Sequence, residues 1–123
     1  GRSEQAIVNL EKALRLSPHT PAKQVFLVSI GWAHFSAERY EQAVDWARRT
    51  VAHDPAYDLA YRTLAASYAQ LGRLEEAQGA LEEELRLDPG LSLRKVRQQN
   101  PTTEPDFLAR WLDGLRKAGL PEE

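Results

Sequence analysis

The sequence contains no cysteine and no methionine. Without thiols there is no disulfide framework, no thiolate metal site and no cysteine nucleophile, so nothing demands an oxidising compartment and a cytoplasmic setting is expected. Methionine is missing even from position 1, which points to a piece cut from a longer chain or processed at its start. Long apolar runs are missing too. No stretch approaches the roughly 20 residues of a membrane helix, and the first residues carry no charged-then-apolar leader, so no membrane contact is expected. Excess charge of one sign is also lacking: 16 Lys+Arg stand against 18 Asp+Glu, a formal charge of -2. That balance speaks against a nucleic-acid binder resting on bulk positive charge. With 42% hydrophobic residues it speaks equally against disorder. No Gly-x-Ser-x-Gly, Walker-type loop or Gly-x-Gly-x-x-Gly occurs, so the motifs that place a nucleophile or cradle a phosphate are absent.

What is present is a repeat. In 123 residues, enough for one domain or a short array of small units, one phrase occurs three times. Gly-Arg-Ser-Glu-Gln-Ala covers residues 1–6, Glu-Arg-Tyr-Glu-Gln-Ala 38–43 and Gly-Arg-Leu-Glu-Glu-Ala 72–77. Each begins a helical apolar pattern that runs out at a proline: Pro18, Pro55 and Pro89. Ala43 to Ala77 and Pro55 to Pro89 both span 34 residues, and the earlier step is three residues longer, the insertion falling at Ser17–Ala22 with its two prolines. Within a copy, Tyr61, Leu64, Ala65 and Tyr68 form one stripe of an amphipathic helix. After a break at Gln70–Arg73, where Gly72 suits a left-handed helix ending, Leu74, Ala77, Leu81 and Leu85 form a second. Two helices joined by so short a turn cannot bury both stripes alone, so the hairpins must stack. Helices are expected at 3–16, 23–36, 40–53, 57–71 and 74–87. A short helix is expected over 91–99, closed by Asn100-Pro101. A last one is signalled by Thr103-Glu104-Pro105-Asp106 and carries Phe107, Leu108, Trp111, Leu112 and Leu115 on one face.

This pattern resembles the tetratricopeptide repeat, Trp-x2-Leu-Gly-x2-Tyr, Ala-x3-Phe and Pro. It is met as Tyr61-x2-Leu64-Ala65-x2-Tyr68, Ala77-x3-Leu81 and Pro89, and one copy earlier as Leu27-x2-Ile30-Gly31-x2-His34, Ala43-x3-Ala47 and Pro55. The first copy keeps Ala6-x3-Leu10 and Pro18. The resemblance implies an all-α solenoid of antiparallel helix hairpins over 1–123: half a repeat at 1–18, repeats at 23–55 and 57–89, and capping helices at 91–123, the last a lid over the end of the stack. Gly31, Ala43, Ala65 and Ala77 would let backbones approach closely. His34 and Ala47 depart from the pattern and should leave the middle hairpin less tightly filled.

Candidate chemistry is sparse. His19, His34 and His53 contain no i, i+4 pair, so no metal site is expected; His34 reads as a hydrogen-bonded core histidine and His53 as a helix-end residue. Glu75-Glu76 and Glu82-Glu83-Glu84 read as a solvated face, with Glu82 pairing Arg86. Arg94, Lys95 and Arg97 also read as a solvated face. No catalytic residue and no cofactor is expected. Lys23–Ser36 is apolar almost all round and must be covered, by neighbouring helices or by a ligand. In proteins resembling the repeat family, the first helix of each hairpin lines a concave groove that receives a partner peptide. By that resemblance Val25, Val28, Ser29, Trp32, Phe35, Leu59, Arg62, Thr63, Ala66 and Gln70 face the groove. The family's Lys/Asn/Arg clamp for a carboxyl terminus is missing, and with Arg62 the sole charge, a mainly apolar segment or a helix of the protein itself is the expected occupant.

Narrower wording, Leu16-Ser17-Pro18-x-x-Pro21, Ala33-His34-Phe35, Trp46–Arg49 and Leu112–Pro121, is similar to the C-terminal repeat region of bacterial class III adenylate/guanylate cyclases and of related winged-helix regulators. That resemblance implies a non-catalytic regulatory or oligomerisation region beside a cyclase domain. The alternatives are the tail of a transcriptional regulator or a stand-alone adaptor. Ile7, Leu10 and Leu14 would leave an apolar edge, covered by self-association into a homodimer or left as a source of marginal stability.

Overall fold

The computed structural model describes residues 2–99 and 104–123. Among them are seven α-helices and no strand: α1 Arg2–Leu16, α2 Lys23–Ser36, α3 Tyr40–His53, α4 Asp58–Gln70, α5 Leu74–Leu87, α6 Leu93–Gln99 and α7 Pro105–Ala118. The fold is therefore all-α, and the five helices expected from periodicity start and stop within a residue of their expected bounds. Gly1 of the first phrase, the Asn100-Pro101 stop and the Thr103 start signal lie outside the described residues. At the start of α7, Pro105 occupies the first turn as expected, and Glu104 precedes it in extended backbone.

Chain reversal at the hairpin turns is a backbone matter. After α4, Gly72 adopts φ 79° and the Arg73 N–H donates to the Tyr68 carbonyl at 2.9 Å. After α2, Glu38 adopts φ 61° and the Arg39 N–H reaches the His34 carbonyl at 2.8 Å. Both turns recover helix-end carbonyls through one left-handed residue. Glycine adopts that conformation freely at Gly72, whereas Glu38 does so against its own Cβ.

Successive helices pack on one another in sequence order: α1 on α2, α2 on α3, α3 on α4 and α4 on α5. Alanine makes this close stacking feasible. Ala43, Ala47, Ala60, Ala65, Ala66 and Ala77 have no accessible surface. Ala47 and the 7%-exposed His34 sit in a filled interior with Phe35 and Ile30, so the looseness expected of the middle hairpin is not found at these positions. Gly31 also differs from expectation: a Cβ there would lie 3.5 Å from the nearest atom, the Ala43 carbonyl oxygen, an ordinary contact. The truly close approach is elsewhere. A Cβ on Gly114 would lie 2.6 Å from the Ala66 carbonyl oxygen, so α7 lies on the backbone of α4 where a side chain would hold it away.

The last helix, expected as a lid over the end of the stack, lies mainly along α4, touches α5 less and reaches across to α2. The reason lies in its aromatic face. Trp111 meets Phe35 edge-on at 5.1 Å and Trp32 at 6.4 Å, and Phe107 stacks on Trp111 at 5.6 Å. Each such pair contributes about 0.5–1.5 kcal/mol beyond area burial. Arg110 fastens the helix, donating from Nη1 to the Phe35 carbonyl and from Nη2 to the Ser36 carbonyl, both at 3.0 Å. These are the exposed carbonyls at the C-terminus of α2, where a cation is favoured. Beyond α7, Gly119 turns with φ 112°, and the tail returns to α6: the Leu93 N–H donates to the Pro121 carbonyl and the Arg94 N–H to that of Glu122.

Candidate functional site

A cavity of about 550 Å³ opens on the side of the stack formed by α2 and α4. Trp32 and Ala33 of α2, Leu59 and Arg62 of α4, Val96 and Gln99 of α6, and Phe107 and Trp111 of α7 line it. Arg2, Ser3 and Ala6 of α1 close one side. Its volume lies within the range of small-ligand and side-chain pockets, and three aromatic rings dominate its lining. Trp32 is held in place because its Nε1–H donates to Thr63 Oγ1 at 2.9 Å, and Thr63 in turn donates to the Leu59 carbonyl.

The ten residues assigned to the groove separate in the structure. Trp32, Leu59 and Arg62 line the cavity. Val28, Phe35, Thr63 and Ala66 have no accessible surface, so they support the site from beneath and offer a partner nothing to touch. Gln70 is engaged by α7, donating to the Arg110 carbonyl at 2.7 Å. Val25 stands 43% exposed outside the cavity lining, and Ser29 is half-buried. Phe107, Trp111, Val96 and Gln99 were not named from sequence, but a helix of the protein itself was an expected occupant of the groove, and α7 lies against Trp32, Phe35 and Gln70 there.

Arg62 is not the available charge it looked to be. It is 6% exposed, and its Nε donates to Glu84 Oε2 at 3.1 Å, its Nη2 to Asp58 Oδ2 at 3.3 Å and its Nη1 to Gln99 Oε1 at 3.4 Å. Asp88 Oδ2 lies 3.9 Å from Nη2. Glu84, read as part of a solvated face, is in fact wholly buried, and its Oε1 has no partner. A signal existed: Glu84 falls seven residues after Ala77 and three after Leu81, on the stripe that packs inward. Burial pushes the Glu84 carboxyl up to about 8; Arg62 pulls against that rise and the adjacent Asp58 carboxylate adds to it. Among the described residues, Asp58, Glu84 and Asp88 bring carboxylate oxygens within 4.8 Å of one another. The Arg62 guanidinium already supplies the positive charge between them.

The hydrogen-bonded core histidine expected at position 34 is buried, but its Nδ1 has no partner; desolvation lowers its pKa against the opposing pull of Glu11. Of the acidic face, Arg86 pairs with Glu83 at 2.9 Å, not with Glu82, the i+3 partner winning over the i+4 one. The basic run is neutralised from the far end of the chain, Arg94 by Glu123 and Arg97 by Glu122.

Stacked helix pairs, the recurring phrase and left-handed turns at equivalent places define a repeat protein, and comparison names its kind. Residues 1–84 match the family described as anaphase-promoting complex, cyclosome, subunit 3. The chain belongs to that family. It is a tetratricopeptide-like repeat family, so the tetratricopeptide reading holds for these residues. Repeats of this family generally bind protein partners and are generally non-catalytic. A search of the curated proteins finds no match. No helix among the described residues is long and apolar enough to cross a membrane.

Proposed function

We propose that this chain is a protein–protein interaction module that receives a partner segment in the cavity between α2, α4 and α7. The observation that carries this reading is the cavity itself: Trp32, Leu59, Phe107 and Trp111 converge on about 550 Å³ of open space on the first helices of the repeats. A photo-crosslinking residue at position 59 is expected to capture a specific partner protein in cells, while one at the exposed position 78 on α5 does not. Equal capture at both positions, or at neither, contradicts the reading. The repeat partition at 1–18, 23–55 and 57–89, with 91–123 as capping helices, belongs to the same proposal.

Two finer readings each have one support. The wording of residues 112–121, similar to the C-terminal repeat region of class III cyclases, favours a regulatory place beside a catalytic domain in the cytoplasm. It is tested by whether Leu59→Asn alters the activity of whatever domain the parent protein carries. The exposure of Val8 (55%) and Leu16 (74%) on α1 favours self-association, which sedimentation of the wild type and of Val8→Lys/Leu16→Lys decides.

A further inference from the structure

We propose that the face shared by α1 and α2 is a docking groove for an amphipathic α-helix of a partner protein, which lies against α1 as α2 lies against α3 and α4 against α5. The inference rests on the partner-binding reading above and names the form of the bound segment. The three copies of the repeated phrase place one stripe on three helices. On α3, Ala43, Ala47 and Thr50 have no accessible surface. On α5 the equivalent Ala77, Leu81 and Glu84 are at most 4% exposed. The first helix of each hairpin lies over this stripe: Gly31 of α2 sits against Ala43 and Trp46, and Arg62 of α4 reaches Glu84. On α1 the equivalent residues are Ala6, Leu10 and Ala13, and all three are only half-buried.

Helix α2 repeats the observation from the other side. A step of 34 residues carries Val25 and Ser29 of α2 onto Leu59 and Thr63 of α4. On α4 that face is covered by α2, whose Trp32 donates to Thr63, a residue with no accessible surface. On α2 the same face is open, with Val25 43% exposed and Ser29 half-buried. Because α1 packs on α2, the two open stripes are neighbours, and both run into the cavity, which Ala6 lines from one helix and Trp32 and Ser36 from the other. The groove is thus continuous with an interface that the stack builds twice more along its length. Val25 to Ser36 spans eleven residues, about 16 Å of helix, so the groove takes about three turns.

The stripes suit a helix better than an extended strand. A helix satisfies its own backbone N–H and C=O groups, whereas an extended segment needs partners that Ala6, Leu10, Ala13 and Val25 do not have. Small residues at 6 and 13 let two helix axes approach closely. Opposite Ala13 the incoming helix should be apolar: on α5 this position is Glu84, which pairs with Arg62, but at position 13 an arginine would meet a methyl group and lie unpaired.

The test takes its helix from the chain's own α4. Blocked peptides of residues 57–73 are titrated into the 15N-labelled chain in three forms: Arg62→Val, the natural sequence, and Arg62→Val with Ala65→Pro, which breaks the helix. The Arg62→Val peptide is expected to shift the amides of Ala6, Leu10, Ala13, Val25 and Ser29 and to spare those of Glu82 and Arg86 on the exposed side of α5. It should bind about tenfold tighter than either other form, a difference of roughly 1.4 kcal/mol. Ala13→Glu in the chain is expected to reverse the ranking, the natural peptide then binding tighter because its arginine regains a carboxylate, while unmoved α5 signals show the fold intact. Equal binding of the proline form overturns the helix and leaves the partner-binding reading standing. An unchanged ranking in Ala13→Glu overturns the equivalence of this groove with the hairpin interface. A dimer of the chain alone that dissociates on Val25→Lys gives the groove to a second copy and overturns a partner helix. No shift with any peptide overturns the inference outright, and the partner-binding reading then depends on its own crosslinking experiment.

Discussion

Two glycines in this chain have opposite reasons to be there. Gly114 has no room for a side chain, since an added Cβ would meet three backbone atoms of Ala66 within 3.2 Å. Gly79 has nothing within 4 Å and lies on the solvent side of α5. Gly114→Ala is expected to lose about 2–3 kcal/mol, because the obstacle is backbone and α7 must lift. Gly79→Ala should gain up to about 1 kcal/mol from helix propensity. Urea denaturation of both variants checks the pair, and equal effects would contradict the packing described. Glu84 is the other position where one atom matters. Its carboxyl is raised from 4.5 to about 8 in the fold, so between those values the folded state holds a proton that the unfolded state has released. Its stabilising contribution is then complete below about 4.5 and lost as pH rises toward 8. Glu84→Gln keeps the shape and the uncharged state, and should flatten the fall in stability between pH 5 and 8 (roughly the window of that shift). His34, whose pKa is lowered, adds a slope of opposite sign near and below its ordinary 6.5 in both proteins, so the difference between them isolates Glu84. A Gln variant with the same pH profile as wild type would show that Glu84 is ionised throughout.

Helix α7 is where local pattern and tertiary placement part company. Its amphipathic face, its proline start and its glycine stop are written in Glu104–Gly119, and a helix forms there as expected. Where it lies depends on what its aromatics meet, and those rings are on α2, some 75 residues earlier. Arg110 ties the two together through the Phe35 and Ser36 carbonyls. Arg110→Ala should cost about 1–2 kcal/mol, the value of charge-assisted hydrogen bonds at a half-buried site. It should also red-shift Trp111 emission as α7 loosens. An unchanged spectrum and unchanged stability would mean that the aromatic cluster alone sets the position of α7. The same logic explains the acidic turn of α5: Glu82, Glu83 and Glu84 look alike in sequence, and one of the three is buried because its angular position faces Arg62 on α4.

Across the whole molecule, stability is unevenly spread. α4 is gripped by α3, α5 and α7, and nine of its residues are buried, from Ala60 through Ala69. α1 rests on α2 and buries Ile7, with Leu10 and Leu14 half-covered. In a stack where each unit contacts its neighbours, an end helix with one partner opens first. Amide hydrogen exchange should therefore show α1 exchanging soonest among the five helices α1–α5 and α4 last. Uniform protection would point to a contact on α1 outside the chain, such as a second copy.

Helix positions, hairpin turns and the stacking of repeats were determined by the sequence itself, because 3.6-residue periodicity, the left-handed turn residues and the prolines act over a few neighbouring positions. The burial of His34 was readable for the same reason, though its Nδ1 lacks the hydrogen bond expected of it. The site was readable in part: Trp32, Leu59 and Arg62 follow from their place on the first helices. The burial of Glu84 was signalled by its place on the inward stripe of Ala77 and Leu81, whereas the arrival of Phe107 and Trp111 at the cavity and the loss of Arg62 as an available charge were decided by tertiary structure. Both depend on which side chain from a distant helix arrives within hydrogen-bonding or van der Waals reach, and that distance is set by the packing of whole helices.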